Sequence, residues 1–90
     1  MKQIQLNFSK CQSISDIYQE IKTKFKLPQN SGENLSALWD SLDCYCDYEL
    51  RVTVVGIEDL SEEIQNYIRQ IKQIFTRVSR ENQNITFEYK

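Results

Sequence analysis

The stretch from Leu27 to Leu50 combines carboxylates with aromatic side chains and contains no lysine or arginine. Its acids are Glu33, Asp40, Asp43, Asp47 and Glu49, and it also holds the single tryptophan and two tyrosines. All 11 basic residues lie elsewhere, so the formal net charge of −2 conceals a strongly acidic segment. Local charge of one sign, mixed with aromatics, steers and then binds a partner of the opposite sign. The segment therefore predicts a surface that meets something positively charged.

Catalytic and metal chemistry fit the composition poorly. The chain has no histidine, so it cannot form a Ser-His or Cys-His nucleophilic dyad. Cys11, Cys44 and Cys46 supply three thiols at most, without the C-x-x-C pairs of structural zinc sites. We therefore predict no enzymatic activity, no cofactor and no metal.

The basic residues fit helix electrostatics better than nucleic-acid binding. Lys22, Lys24 and Lys26 fall in the last turns of one predicted helix, and Arg77 and Arg80 near the end of another, where cations complement the helix dipole. The sequence pI is about 5.1. Because no basic stripe alternates with exposed aromatics, we predict no nucleic-acid partner.

Length and composition predict one folded domain over residues 1–90. The sequence is 40% hydrophobic and 27% charged, and two glycines and one proline leave no obvious linker. Its first ten residues alternate polar and apolar side chains, unlike a secretory signal, and no stretch resembles a membrane span. With an odd number of cysteines, these features predict a soluble, cytoplasmic protein with reduced thiols.

Hydrophobic periodicity predicts the order β-α-α-β-α-β. Alternation over residues 3–8 and over residues 85–89 is typical of strands with one buried face, and residues 50–55 form another strand before Gly56. Helical spacing recurs at Ile14, Ile17, Tyr18, Ile21 and Phe25, at Leu35, Leu38, Trp39 and Leu42, and from Leu60 to Val78.

Capping residues and proline predict the limits of the first helix. Either Ser13 or Ser15 can cap its N-terminus. Pro28 moves Leu27 out of helical geometry, so the helix is predicted to end near Lys26.

The other two helices have their own start signals. Asn34 is predicted to cap the second helix. The third is predicted to begin near Asp59, in a capping box with Glu62, and to end within residues 80–82. A break near Asn66 is left open, so one or two helices fit this region.

The element order predicts an α/β fold with a three-stranded parallel sheet. Helical crossovers between successive strands imply parallel pairing with right-handed connections. Since the first and last strands alternate cleanly, we expect two layers, with helices packed on one face of the sheet and polar side chains on the other.

Several short stretches of the sequence resemble the barstar family of ribonuclease inhibitors. They are Ser13-Ile14-Ser15-Asp16, Leu27-Pro28, Gly32-Glu33-Asn34-Leu35, Ala37-Leu38-Trp39-Asp40 and Leu42. The similarity covers essentially the full chain. It implies an intracellular inhibitor of an extracellular or toxin-type ribonuclease, acting as a monomer in a 1:1 complex and protecting the cell that makes the nuclease.

The resemblance also implies a site. In this family the second helix and its preceding loop fill the active-site cleft of the nuclease, and a helix carboxylate, here Asp40, takes the place of a substrate phosphate. A cleft lined with basic groups offers a carboxylate the same charge-assisted hydrogen bonds. Trp39 would anchor the helix, and Asp43 and Asp47 would guide the encounter. The full implied set is Asn30, Ser31, Gly32, Asn34, Leu35, Ser36, Trp39, Asp40, Asp43, Cys44, Asp47 and Arg77.

Four of these positions depart from the family pattern. Asn30 and Ser31 stand where the family has two tyrosines, Ser36 where it has an acid, and Arg77 where it has a partner-contacting glutamate. One hypothesis is that the chain inhibits a different nuclease, whose rim complements Arg77. The alternative is a regulatory module of the same fold that binds a basic partner other than a nuclease. A purely structural reading, in which Trp39 is core and the helix acids are only solvated, is also open.

Overall fold

A computed structural model of the chain describes residues 2–28, 32–43 and 49–90, with the backbone alone at Asp43. The strands are β1 (Lys2–Asn7), β2 (Leu50–Val55) and β3 (Ile85–Tyr89), and the helices are α1 (Ile14–Phe25), α2 (Leu35–Asp43) and α3 (Glu62–Glu81). One 3₁₀ turn, Ile57–Asp59, connects β2 to α3. The predicted order β-α-α-β-α-β is confirmed.

The strands form one parallel sheet in the order β1-β2-β3. Its register aligns Lys2 with Leu50 and Leu50 with Ile85. Because strand order follows chain order, both crossovers step in the same direction, and connections of the same hand then place their helices on one face.

Burial along the strands confirms the two-layer arrangement. Ile4, Leu6, Leu50, Val52, Val54 and Ile85 are buried on the inner face. The residues between them on the opposite face are exposed or half-buried and mostly polar: Gln3, Gln5, Asn7, Arg51, Thr53, Val55, Thr86 and Glu88. The helices therefore cover only the apolar face of the sheet.

The structure decides which serine caps α1. Ser13 is the N-cap, and its Oγ accepts a hydrogen bond from the backbone N–H of Asp16 at 3.2 Å. Ser15 instead lies in the first turn. At the other end, Lys26 adopts a left-handed conformation with φ of 58°, so α1 ends just before the position predicted.

The predicted start of α3 is wrong. Asp59 belongs to the 3₁₀ turn, and Leu60 is extended, so the helix cannot begin there. Ser61 is the N-cap instead, with its hydroxyl accepting from the backbone N–H of Ile64 at 3.4 Å. From Glu62 the helix runs to Glu81 without interruption, so there is no break at Asn66.

Two aromatic pairs join the helices to the rest of the core. Phe75 of α3 stacks on Phe87 of β3 with ring centroids 4.3 Å apart. Tyr18 of α1 meets Tyr67 of α3 edge to face, and their hydroxyls lie 2.6 Å apart. These contacts hold α1 and α3 at fixed positions, and α2 lies against α3.

Gly56 allows a close approach at the end of β2. Its φ is +83°, and a Cβ on it would lie 2.4 Å from the backbone nitrogen of Ser9. A side chain at this position would therefore be strained and would collide with main-chain atoms. Gly56 precedes α3, and Arg77 lies near the other end of that helix.

Within the described ranges, no helix is both long enough and apolar enough to cross a membrane.

Candidate functional site

Of the residues implicated by the family resemblance, those that the structure describes lie on α2, on the segment just before it, and on α3. The structure describes the surroundings of Gly32, Asn34, Leu35, Ser36, Trp39, Asp40 and Arg77. Asn30, Ser31, Cys44 and Asp47 lie outside the described residues, and Asp43 is described only as the last residue of α2. The described set is built from the start of α2 towards α3.

Asn34 caps α2, as predicted. Its side-chain oxygen accepts a hydrogen bond from the backbone N–H of Ala37 at 2.8 Å, and its carbonyl accepts from Leu38 N–H at 3.0 Å. Gly32 lies so close to this turn that an added Cβ would be 3.1 Å from both Ala37 Cβ and Asn34 Nδ2. The segment entering α2 therefore packs against the first helical turn.

One face of α2 is apolar and the neighbouring face is polar. Leu38 and Leu42 are buried, while Leu35 and Trp39 are half-buried against the edge of the core. Ser36 and Asp40 are exposed. Because residues four apart share a helix row, the Ser36 hydroxyl and the Asp40 carboxylate present one polar strip.

The Asp40 carboxylate forms no ion pair with any residue that the structure describes. Ion pairs among the described residues join Lys22 to Glu33, Lys24 to Glu20, and Arg51 to Glu88. None involves Asp40. A carboxylate that is exposed and unpaired can exchange water for the donors of a partner without first breaking an internal bond.

Trp39 connects α2 to α3 through a cation–π contact. The guanidinium carbon of Arg77 lies 4.7 Å from the centroid of the Trp39 ring. The half-buried ring supports the turn of α2 that carries Asp40 and at the same time fixes the position of a cation. Arg77 is exposed, so its charge remains available at the surface.

Glu33 forms a cluster of polar contacts that sequence reasoning missed. Its carboxylate accepts hydrogen bonds from Ser15 Oγ at 2.9 Å, Gln19 Nε2 at 3.0 Å and Lys22 Nζ at 3.2 Å. All three donors lie on α1. We call these contacts the Glu33 clasp. It ties the residue before the α2 cap to a helix that packs on the sheet.

The clasp changes the interpretation of two residues. Lys22 is buried, with 4% exposure, so it is an internal ion-pair partner and not merely a cation at the end of a helix. Glu33 is committed to α1 and does not add to the free acids of the Leu27–Leu50 segment. A sequence signal existed, since Lys22 lies four residues after buried Tyr18 and three before buried Phe25, within the inner stripe of α1.

Hydrogen bonding also stabilises the charged form of Glu33. The Ser15 hydroxyl, followed by Lys22 and Gln19, lowers the pKa of this carboxyl below its ordinary value. The clasp is therefore formed at neutral pH, when Glu33 carries its negative charge.

The described residues suit binding better than reaction. No group of three or more Cys, Asp or Glu within them could hold a metal ion. Partial burial, with the nearby charge of Asp16, raises the pKa of the Cys11 thiol, which keeps it protonated and weakly nucleophilic at neutral pH. Cys44 and Cys46 lie outside the described residues.

The structure is a two-layer α/β domain in which an exposed carboxylate, without an ion pair among the described residues, lies beside a half-buried tryptophan on a short helix. Comparison with known protein families matches residues 1–90 to the family described as Barstar (barnase inhibitor). The chain therefore belongs to the barstar family, and the match covers its whole length. This is a family of inhibitors and not of enzymes, which favours a protein as the partner.

Proposed function

We propose that this protein is a cytoplasmic inhibitor of a barnase-type ribonuclease and protects its cell from that toxic nuclease. It acts as a monomer in a 1:1 complex and performs no catalysis. The observation that carries the proposal is the exposed carboxylate of Asp40 on α2, which has no ion pair within residues 2–28, 32–43 and 49–90, in a chain that belongs to the barstar family.

The proposed mechanism is occupation of the nuclease's phosphate site. A ribonuclease cleft holds RNA with cationic donors, and a carboxylate presented on a rigid helix accepts the same charge-assisted hydrogen bonds. Asp40 takes the phosphate position, while Trp39 keeps the helix turn in place. In this proposal Gly32, Asn34 and Leu35 contact the cleft near the backbone, and Asp43 and Asp47 speed the encounter.

The Glu33 clasp supports the same mechanism. Ordering a loop at the moment of binding costs free energy, and a segment already held in position avoids that cost. The clasp bonds the residue immediately before the α2 cap to α1. Glu33 is therefore proposed as a positioning residue that presents α2 in its binding geometry.

The test is inhibition of RNA cleavage by a panel of barnase-type ribonucleases, comparing the parent protein with Asp40→Asn. The substitution keeps the shape of the side chain and removes its charge. We expect inhibition to weaken by roughly 100-fold or more, because the cationic groups of the cleft lose their buried partner. Thermal stability should change little, since Asp40 is exposed and makes no ion pair in the part of the chain that the structure describes.

Asp59→Asn is the matched control. Asp59 is also exposed, but it precedes α3, whereas Arg77, which contacts Trp39, lies 16 positions after the α3 cap Ser61. At 1.5 Å per helical residue, the start of α3, which Asp59 precedes, is about 24 Å along the helix axis from Arg77. Equal inhibition by parent and Asp40→Asn would refute the proposal, whatever the control shows.

One observation favours a second candidate, a regulatory module that binds a basic partner other than a nuclease. Arg77 lies over Trp39 at a position where the family has a partner-contacting glutamate, so this edge of the surface departs from the family pattern for contacting a nuclease. Failure of the parent to inhibit any nuclease of the panel would favour this candidate, as would the lack of a ribonuclease gene beside this one. Direct inhibition of a nuclease encoded by a neighbouring gene would exclude it.

A further inference from the structure

The outer side of α3 carries a groove lined by cations. The groove has a volume of about 370 Å³, and its described lining consists of Lys72, Gln73, Thr76, Arg77 and Arg80. Positions 72, 76 and 80 follow one helix row, and positions 73 and 77 follow the next. No acidic residue belongs to this lining. We call this surface the α3 groove.

Two of the three cations are held in place by aromatic rings. Arg77 lies over Trp39, and the Nζ of Lys72 lies 4.7 Å from the centroid of the Tyr89 ring, whose residue is 41% exposed. A cation resting on a ring is already partly ordered, so less side-chain entropy is lost when it meets a partner.

The charges of the groove are not neutralised within the described part of the molecule. The three ion pairs found there use Lys22, Lys24 and Arg51 as their cations. Helix electrostatics accounts for Arg77 and Arg80 near the end of α3, but it explains neither the position of Lys72 in mid-helix nor the stacking on rings.

We propose that the α3 groove binds an acidic rim on the same nuclease whose basic cleft receives α2. This inference rests on the proposed function and extends it to the choice of nuclease. The interface then has two halves of opposite sign, with carboxylates of α2 entering the cleft and cations of α3 meeting carboxylates beside it. Such a pattern rejects nucleases with basic rims, since like charges would be brought together.

The position of Trp39 favours a protein surface over RNA as the occupant of the groove. Trp39 contacts Arg77 on α3 and directly precedes Asp40 on α2, so it connects the two helices that carry the opposite charges. A uniformly anionic RNA backbone lying along the groove would approach the Asp40 carboxylate and be repelled. A folded protein can present acids and bases at separate points and satisfy both halves.

The test uses a ribonuclease that the parent protein inhibits. Arg77→Glu and Arg80→Glu are compared with Lys10→Glu, which makes the same charge change at an exposed residue after β1. We expect each groove variant to weaken inhibition at least tenfold at low salt, with a smaller effect at high salt because screening reduces the repulsion. Lys10→Glu should stay within about twofold of the parent.

Arg80→Glu keeps the test decisive if Arg77→Glu disturbs the packing of Trp39, because Arg80 makes no contact with that ring among those found. Groove variants that inhibit as well as the parent, while Asp40→Asn does not, would overturn the groove proposal alone. Equal inhibition by Asp40→Asn would instead remove the proposed function. Binding of a labelled RNA oligonucleotide by the parent, abolished in Arg80→Glu, would also overturn the protein-rim assignment.

Discussion

The charged side chains on α2 and on α3 are held in place in different ways. On α2, Asp40 stands in solvent with no internal partner among the described residues, and rigidity comes from beneath it, through Trp39 and the Glu33 clasp. On α3, Lys72 and Arg77 rest on aromatic rings of other elements. One face presents a short carboxylate on a fixed backbone, and the other presents long cations fixed by stacking.

This difference follows from side-chain length. An aspartate has few rotatable bonds, so holding the helix also holds its carboxylate. Lysine and arginine lose much more rotamer freedom when they are ordered, and a ring under the charge removes part of that cost before binding. The charged groups on both faces are therefore partly ordered before any partner binds. Trp39 is common to both faces, because it belongs to α2 and contacts Arg77 of α3.

Trp39→Ala tests that shared role and should have the largest effect. It removes the support of the α2 turn and the ring beneath Arg77, so inhibition should fall by roughly 100-fold, as expected for loss of an aromatic anchor. Because Trp39 is half-buried, unfolding should also become easier by about 2–3 kcal/mol, less than for a fully buried tryptophan. Trp39→Phe should restore part of both. Full inhibition by Trp39→Ala would show that the two faces do not depend on this ring.

Gly56→Ala separates stability from binding. A residue with a side chain is strained at φ +83° and collides with the backbone of Ser9, so we expect a loss of about 3 kcal/mol in chemical denaturation. Gly56 precedes α3, whereas Trp39 contacts that helix near its other end, at Arg77, so the folded fraction should inhibit as the parent does. If Gly56→Ala lowered inhibition per folded molecule as much as Trp39→Ala does, destabilisation of the fold would be enough to explain the weaker inhibition by Trp39→Ala.

Glu33→Gln should weaken binding through α2 and leave binding through the α3 groove unchanged. The amide cannot accept the three hydrogen bonds with the same strength, and buried Lys22 loses its charged partner. We expect inhibition to fall by about tenfold, mainly through slower association of a less ordered segment. Glu63→Gln, at an exposed position in the first turn of α3, is the matched control. Surface plasmon resonance measures the association and dissociation rates separately. A faster dissociation with an unchanged association rate would contradict this prediction.

The clasp also predicts a small pH effect on stability. Folding lowers the pKa of Glu33, so the folded protein binds this proton less readily than the unfolded chain. The stabilisation is therefore complete above the ordinary pKa of 4.5 and is lost as the pH falls through the lower folded value. The difference in denaturation midpoint between parent and Glu33→Gln should be constant near pH 7 and shrink below pH 4.5. A difference independent of pH would contradict the charged clasp.

The fold could be predicted from sequence because periodicity and local capping agree. Alternation in β1 and β3 identified the inner face of the sheet, and Asn34 was correctly predicted to cap α2. The start of α3 was predicted wrongly, because Asp59 and Ser61 both offer a capping oxygen. The choice between them depends on the 3₁₀ turn after Gly56, which a pattern of residue types does not specify.

The site was predictable only in part, for a different reason. Position on a helix face can be read from spacing, and Asp40 is exposed beside half-buried Trp39 as the helical pattern indicates. Contacts between elements cannot be read in this way. Lys22 pairs with Glu33 and Arg77 stacks on Trp39 across 11 and 38 positions of sequence, and each pair depends on how two elements pack.

The most direct test of the central claim is competition with a mononucleotide that fills the active site of an inhibited nuclease. If the Asp40 carboxylate occupies the phosphate site, nucleotide and protein exclude each other. The apparent inhibition constant should then rise in proportion to nucleotide concentration above the dissociation constant of the nucleotide. An inhibition constant that does not change with nucleotide concentration would show that α2 binds elsewhere and would contradict the account.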